Sequence, residues 1–144
     1  MFKKNIYHSM KAIMEDRPLV YSCSGCSSAA QMSNYLALQL DRTGVAEMSC
    51  IAGVGGNVKK IVRTALSGRK IIVIDGCPLA CSKACLGNHA IIPDIHINLT
   101  DYGVKKQNHI DFDKNEANVL LYKIKEVASS LNTIRQETMQ YATN

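Results

Sequence analysis

The run Lys70-Ile71-Ile72-Val73-Ile74-Asp75 constrains the fold of this chain more than any other segment. A strand with one wet face alternates apolar and polar residues, so a near-continuous aliphatic stretch marks a strand covered on both sides. Strands of that kind belong to parallel sheets flanked by helices, and this one should be central.

Two earlier segments repeat the pattern of a β-branched run followed by a helical one. After Leu19-Val20-Tyr21-Ser22-Cys23, residues Ala29, Met32, Leu36 and Leu40 recur on one helical face, and Ser28 with Gln31 matches a capping box at the helix start. After Ala46 to Ile51 comes a glycine-rich turn, Gly53-Val54-Gly55-Gly56, and then a helix capped by Asn57. Its face is Val58, Ile61, Val62, Ala65 and Leu66, and Gly68 ends it. Following the central strand, Pro78 suits a first helical turn, which makes Cys77 a cap and sets Cys81 and Cys85 one and two turns further in. Ile95, Ile97 and Leu99 alternate with His96 and Asn98, a half-exposed strand nearer the edge with His96 on its solvent side. A closing helix starts near Asp113, where Asp113 and Glu116 resemble a capping box, and runs through Leu120, Ile124, Val127, Leu131 and Ile134. The polar end over 136–144 is expected to fray, and 1–16 reads as an N-terminal arm or short helix.

Strands alternating with helices at this spacing, joined by right-handed crossovers, imply an α/β fold. We expect a single domain over 1–144, a three-layer α/β/α arrangement with a mainly parallel four-stranded sheet in the order 2-1-3-4. No repeat, low-complexity tract or linker divides the chain.

A domain of 144 residues buries roughly 68 to 70% of its unfolded surface and needs no disulfides to stay folded. The N-terminal stretch lacks an apolar segment of signal-peptide length, and no apolar run reaches about 18 residues, so a cytoplasmic protein without membrane association is expected. In that reducing compartment paired cysteines serve metal binding or redox chemistry more often than permanent bridges. The net charge of +5 is scattered, with doublets only at Lys3/Lys4, Lys59/Lys60 and Lys105/Lys106, and forms no basic stripe interleaved with aromatics. No nucleic-acid partner is indicated.

The six cysteines all follow strands. In a sheet ordered 2-1-3-4 the chain leaves strands 1 and 3 in opposite directions and opens a crevice at their carboxyl ends. Cys23 and Cys26 leave strand 1, Cys77 and Cys81 leave strand 3, and Cys50 ends strand 2 beside the same gap. Four thiols in two short-spaced pairs match a tetrahedral zinc site, and soft sulfur also suits Cu(I) or an iron-sulfur cluster. On a regular helix Cys85 would stand about 12 Å from Cys77, too far to share an ion with it. It is a spare thiol, or the partner of Cys81 if the helix begins late. Helix N-termini favour thiolates, which serves metal binding and redox attack equally. Asp75 is placed to orient a ligand or to accept bonds from the turn after strand 3.

Other groups carry less. Gly53-x-Gly55-Gly56 lacks the dinucleotide fingerprint and reads as a tight turn. His8, His89, His96 and His109 have no metal spacing with one another and read as surface residues. Ser24, Ser27 and Ser28 have no assignable base and suit capping.

The stretches IIVIDGCPLACSKACL, CSGCSSAAQ and CIAGVGGNV together resemble the DGC domain family, named for its Asp-Gly-Cys motif, over about Leu19 to Leu131. The resemblance implies zinc binding through four cysteines, which match Cys23, Cys26, Cys77 and Cys81, and leaves the activity open. The leading expectation is therefore a cysteine-thiolate protein holding one zinc ion at the sheet edge. The alternatives are a thiol-based redox or sulfur-handling enzyme using low-pKa cysteines, and an iron-sulfur or metal-delivery module. A protein partner or a homo-oligomer is compatible with each.

Overall fold

In the computed structural model, which describes residue 6 and residues 17–142 with side chains through 131, the aliphatic run forms the strand β3, Ile71–Asp75, buried at all five positions. It pairs in parallel with β1 (Leu19–Ser22) on one side and with β4 (Ile95–Asn98) on the other. The short β2 (Glu47–Met48) adds to the far edge of β1, which gives the order β2-β1-β3-β4 with every pair parallel.

Side-chain alternation along these strands sorts the core into two layers. Val20, Ile72, Ile74 and Ile97 pack against Ala29, Met32, Leu36 and Leu40 of α1 (Ser28–Arg42) and Ala117, Leu120, Ile124 and Ala128 of α5 (Lys114–Ala142). Leu19, Tyr21, Ile71 and Val73 face the opposite way. They meet Val54 of α2 (Ile51–Gly55), Ala65 of α3 (Lys59–Ala65) and Leu86 of α4 (Cys81–Gly87). Fully burying a residue such as Ile72 or Ile74 stabilises the fold by about 1.5–3 kcal/mol, which is why the β3 run dominates the sequence signal. At the amino end of that strand Asp94 accepts from the Ile71 N–H at 2.8 Å and from Lys70 Nζ at 2.8 Å, fastening the loop before β4.

The segment after β2 departs from expectation. Its glycine-rich stretch is the short helix α2, capped by the Cys50 sulfur, which accepts from the Gly53 N–H at 3.4 Å. Asn57 takes a left-handed φ of 57° in the turn, and Val58 is the cap of α3. Val58 and Leu66 are exposed rather than on the core face. α3 meets the core through Ile61 and Ala65, one turn apart, and packs tightly on α2, where a Cβ added to Gly53 would lie 2.8 Å from Ile61 Cγ1.

Asp113 caps α5 as expected, its Oδ1 accepting from the N–H groups of Asn115 (2.7 Å) and Glu116 (3.2 Å). The helix continues to Ala142, and residues 143–144 of the polar end lie outside the described residues. The arm expected over 1–16 lies, apart from Ile6, outside the described residues. Among the described residues no helix is long and apolar enough to cross a membrane.

Candidate functional site

The turns that follow β1 and β3 meet at the carboxyl edge of the sheet. Cys23 extends β1, its N–H donating to the Ile74 carbonyl at 3.1 Å, and its sulfur accepts from the Gly76 N–H at 3.1 Å. Ser33 of α1 closes over the same sulfur, Oγ to Sγ 3.1 Å. Cys23 is buried, and that burial pushes its thiol up from the ordinary value; the bonds from Ser33 and Gly76 oppose the rise, and the nearby Asp75 and Cys81 add to it. Gly76 has no room for a side chain. A Cβ there would lie 2.5 Å from the carbonyl carbon of Ala29 and 2.6 Å from its oxygen, so the β3 turn rests directly on the first turn of α1.

The first cysteine pair ends outside the core, with Cys26 exposed just before α1. The cap of α1 is Ser27, whose Oγ accepts from the Ala30 N–H at 3.3 Å, one residue earlier than the capping box suggested. Ser28 is used otherwise: its N–H donates to Gln107 O at 2.8 Å, and its Oγ accepts from the Gln107 N–H at 3.1 Å. This reciprocal pair holds a strap over the edge and brings Lys106 Nζ to 3.6 Å from the half-buried Cys77 sulfur.

Cys77 is not a helix cap. Its carbonyl accepts from the Ala80 N–H at 3.0 Å, closing a turn in which Pro78 occupies the second position, the place its fixed φ favours. Ala80, with a left-handed φ of 50°, then redirects the chain into α4, which begins at Cys81. The helix thus starts late, Cys77 lies outside it, and Cys81 and Cys85 are a turn apart. Cys85 leans on α2, its sulfur 3.0 Å from where a Gly55 Cβ would be, and packs against the core beneath. Cys81 and Cys50 are exposed.

Asp75 is a fully buried polar group of the edge. Its Oδ1 accepts from the Ser82 N–H at 2.9 Å, and its Oδ2 accepts from the Lys83 N–H at 3.3 Å and from His96 Nε2 at 2.9 Å. The role read from sequence, accepting bonds after strand 3, is met by the helix rather than by the turn. His96, expected on a solvent face, is half-buried: it pairs across from Val73 and its ring turns in to the adjacent carboxylate on the same side of the sheet. Nothing in its spacing signals this, because the contact depends on the β3-β4 register. His89 is likewise engaged, its Nε2 3.0 Å from the Val54 carbonyl, whereas His109 is exposed and His8 lies outside the described residues.

All six cysteines are free thiols. The donors fit a soft metal ion by chemistry. As they stand, no three Cys, His, Asp or Glu side chains among the described residues form a group that could hold one.

Fold, motif and site together define a cysteine-edged, doubly wound parallel α/β protein, and the DGC domain model matches residues 19–124. The chain belongs to that family. It is similar to the anaerobic and virulence modulator AnvM of Pseudomonas aeruginosa, with 52% identity over 107 residues that cover 74% of this chain and 82% of that protein. No solved structure matches it.

Proposed function

We propose that this chain is a cysteine-thiolate metal-binding protein, with zinc the leading ion and Cys23, Cys26, Cys77 and Cys81 the donors. The observation that supports this most is the bond from Gly76 to the Cys23 sulfur, which brings the two cysteine-bearing turns together at the switch point of the sheet. Binding would draw the exposed Cys26 and Cys81 and the half-buried Cys77 toward the ion, whose chemistry is that of a Lewis acid or a structural crosslink. The relative is named a modulator, and a metal-dependent modulating role in the cytoplasm is what this reading carries across. Metal analysis of protein purified without added zinc tests it, together with zinc titration of the metal-free protein and of Cys77→Ser. One ion per chain, lost in the variant, supports the proposal, and substoichiometric uptake overturns it.

A second reading is favoured by the exposure of Cys26, Cys50 and Cys81 as free thiols and by the lysine against Cys77. In it the same edge carries reversible thiol redox or sulfur-transfer chemistry. A thiol count that falls on mild oxidation of metal-free protein and recovers with a reductant supports this reading, and an unchanged count removes it. An iron-sulfur or metal-delivery role uses the same sulfurs, and visible absorbance after anaerobic purification separates a cluster from zinc.

A further inference from the structure

We infer that His96 is a positioning residue of the cysteine edge, acting through Asp75 to set the first turn of α4 and so the place of Cys81 relative to Cys77. The inference rests on the reading that this edge is the working site.

The first N–H groups of any helix need acceptors from outside it. In α4 none comes from the usual place, since the cap residue is Ala80, which has no side-chain acceptor. Ser82 cannot substitute: its hydroxyl is buried and has no hydrogen-bond partner. The acceptors come from the end of β3, where both oxygens of Asp75 receive the N–H groups of Ser82 and Lys83. Cys81, the first residue of α4, is therefore held in place by a carboxylate six residues back in sequence and on a different element.

That carboxylate is buried without exposed surface, and a buried charge persists only with partners that satisfy it. Besides the two helix amides its partner is His96 Nε2, carried on the edge strand β4. Facing a carboxylate, this ring nitrogen carries the proton and donates. His96 thus fixes the rotamer of Asp75 from one side while α4 uses it from the other. Groups that hydrogen-bond a metal ligand directly typically matter about 10–100-fold for affinity; His96 acts further out, through Asp75 and the Ser82 and Lys83 amides, so a smaller effect is expected.

Three measurements on full-length wild type, His96→Leu and His96→Gln test this: site-resolved alkylation of each cysteine by iodoacetamide in metal-free protein, hydrogen exchange by segment, and zinc affinity by chelator competition. Leucine removes the donor, and glutamine retains an N–H at the reach of Nε2. Should His96→Leu fail to fold, His96→Asn, whose amide stops one bond short, takes its place. The expected result is faster exchange in the first turn of α4 and a several-fold change in the alkylation rate of the already exposed Cys81, with α1 and α5 unchanged. Zinc affinity falls several-fold, and His96→Gln restores all three.

Unchanged Cys81 alkylation and α4 exchange overturn the inference, and so does a uniform acceleration across the chain, which would mark general destabilisation. A loosened α4 with wild-type zinc affinity also overturns it. If wild type takes up no zinc, the metal reading fails, and the positioning of Cys81 is then decided by alkylation, exchange and the glutamine rescue.

Discussion

The N–H of Gly76 donates to the sulfur of Cys23 across 3.1 Å, joining residues 53 apart in sequence at the point where β1 and β3 release their chains in opposite directions. The same glycine lies against the backbone of Ala29, so the junction is held by a hydrogen bond on one side and by close contact on the other. The Asp-Gly-Cys motif can be read from this geometry: the aspartate supports α4, the glycine allows the approach to α1, and Cys77 follows on the surface turn.

Gly76→Ala should be costly. The new methyl would meet Ala29 C and O at 2.5 and 2.6 Å and Ala30 N at 2.8 Å, all backbone atoms that cannot swing aside. We expect a loss of about 2–3 kcal/mol in urea unfolding. Gly87→Ala, where nothing lies within 4 Å, should stay within about 0.5 kcal/mol of wild type. Equal effects at the two sites would contradict the packing.

Cys23 should be the slowest thiol to label. Its sulfur is enclosed by Ser33 and Gly76, and burial keeps it in the thiol form to higher pH than usual, whereas Cys26, Cys50 and Cys81 face solvent. Alkylation of native metal-free protein at neutral pH should reach Cys23 at least about tenfold later than Cys26. Comparable rates would show that the junction opens readily.

The two ends of the pH range should report different groups. Burial pushes the Tyr21 phenol above its ordinary value of about 10, with the Ser49 side chain opposing. The unfolded chain therefore ionises first, so the contribution of Tyr21 is fully present below pH 10 and is lost as pH rises beyond it; Tyr21→Phe should flatten the alkaline limb of the stability curve. For Asp94, burial raises the carboxyl, but the Lys70 ammonium and the Ile71 N–H outweigh it and hold it below the usual 3.8. Its contribution is present above that value and is lost as pH falls through the lower folded one, and Asp94→Asn should remove that part of the acid limb. Thermal midpoints from pH 2 to 11 check both signs.

Cys85 and Cys81 should separate packing from binding. Cys85→Ala removes a sulfur packed beside Gly55 and should cost about 1 kcal/mol or less with zinc stoichiometry intact. Cys81→Ala removes an exposed thiol and should leave stability of the metal-free chain nearly unchanged while weakening zinc uptake. Loss of zinc in Cys85→Ala would put Cys85 among the ligands.

The strand order and the meeting of the two cysteine turns were legible because each rests on local pattern plus one topological rule. The aliphatic run at Ile71–Asp75 announced a central parallel strand, and a central parallel strand leaves few ways to arrange its neighbours. Helix starts were less legible. Pro78 suits a first helical turn by sequence but takes the second place of a β-turn, and α4 begins later, where Asp75 accepts from the N–H groups of Ser82 and Lys83. Val58 and Leu66 are exposed while Ile61 packs against Gly53, a contact between two short helices that periodicity does not encode.

The amino-acid sequence by itself determined the parallel sheet, its order and the edge on which the sulfurs gather, since hydrophobic period and connection length are properties of consecutive residues. Only the tertiary structure decided how each sulfur is used: Cys23 enclosed, Cys85 packed, Cys50 capping a helix, Cys26 and Cys81 in solvent. It also brought His96 to Asp75. Burial and hydrogen bonding of a side chain depend on what a distant strand or helix sets beside it, and that is fixed by register and close packing rather than by the residue's own neighbours.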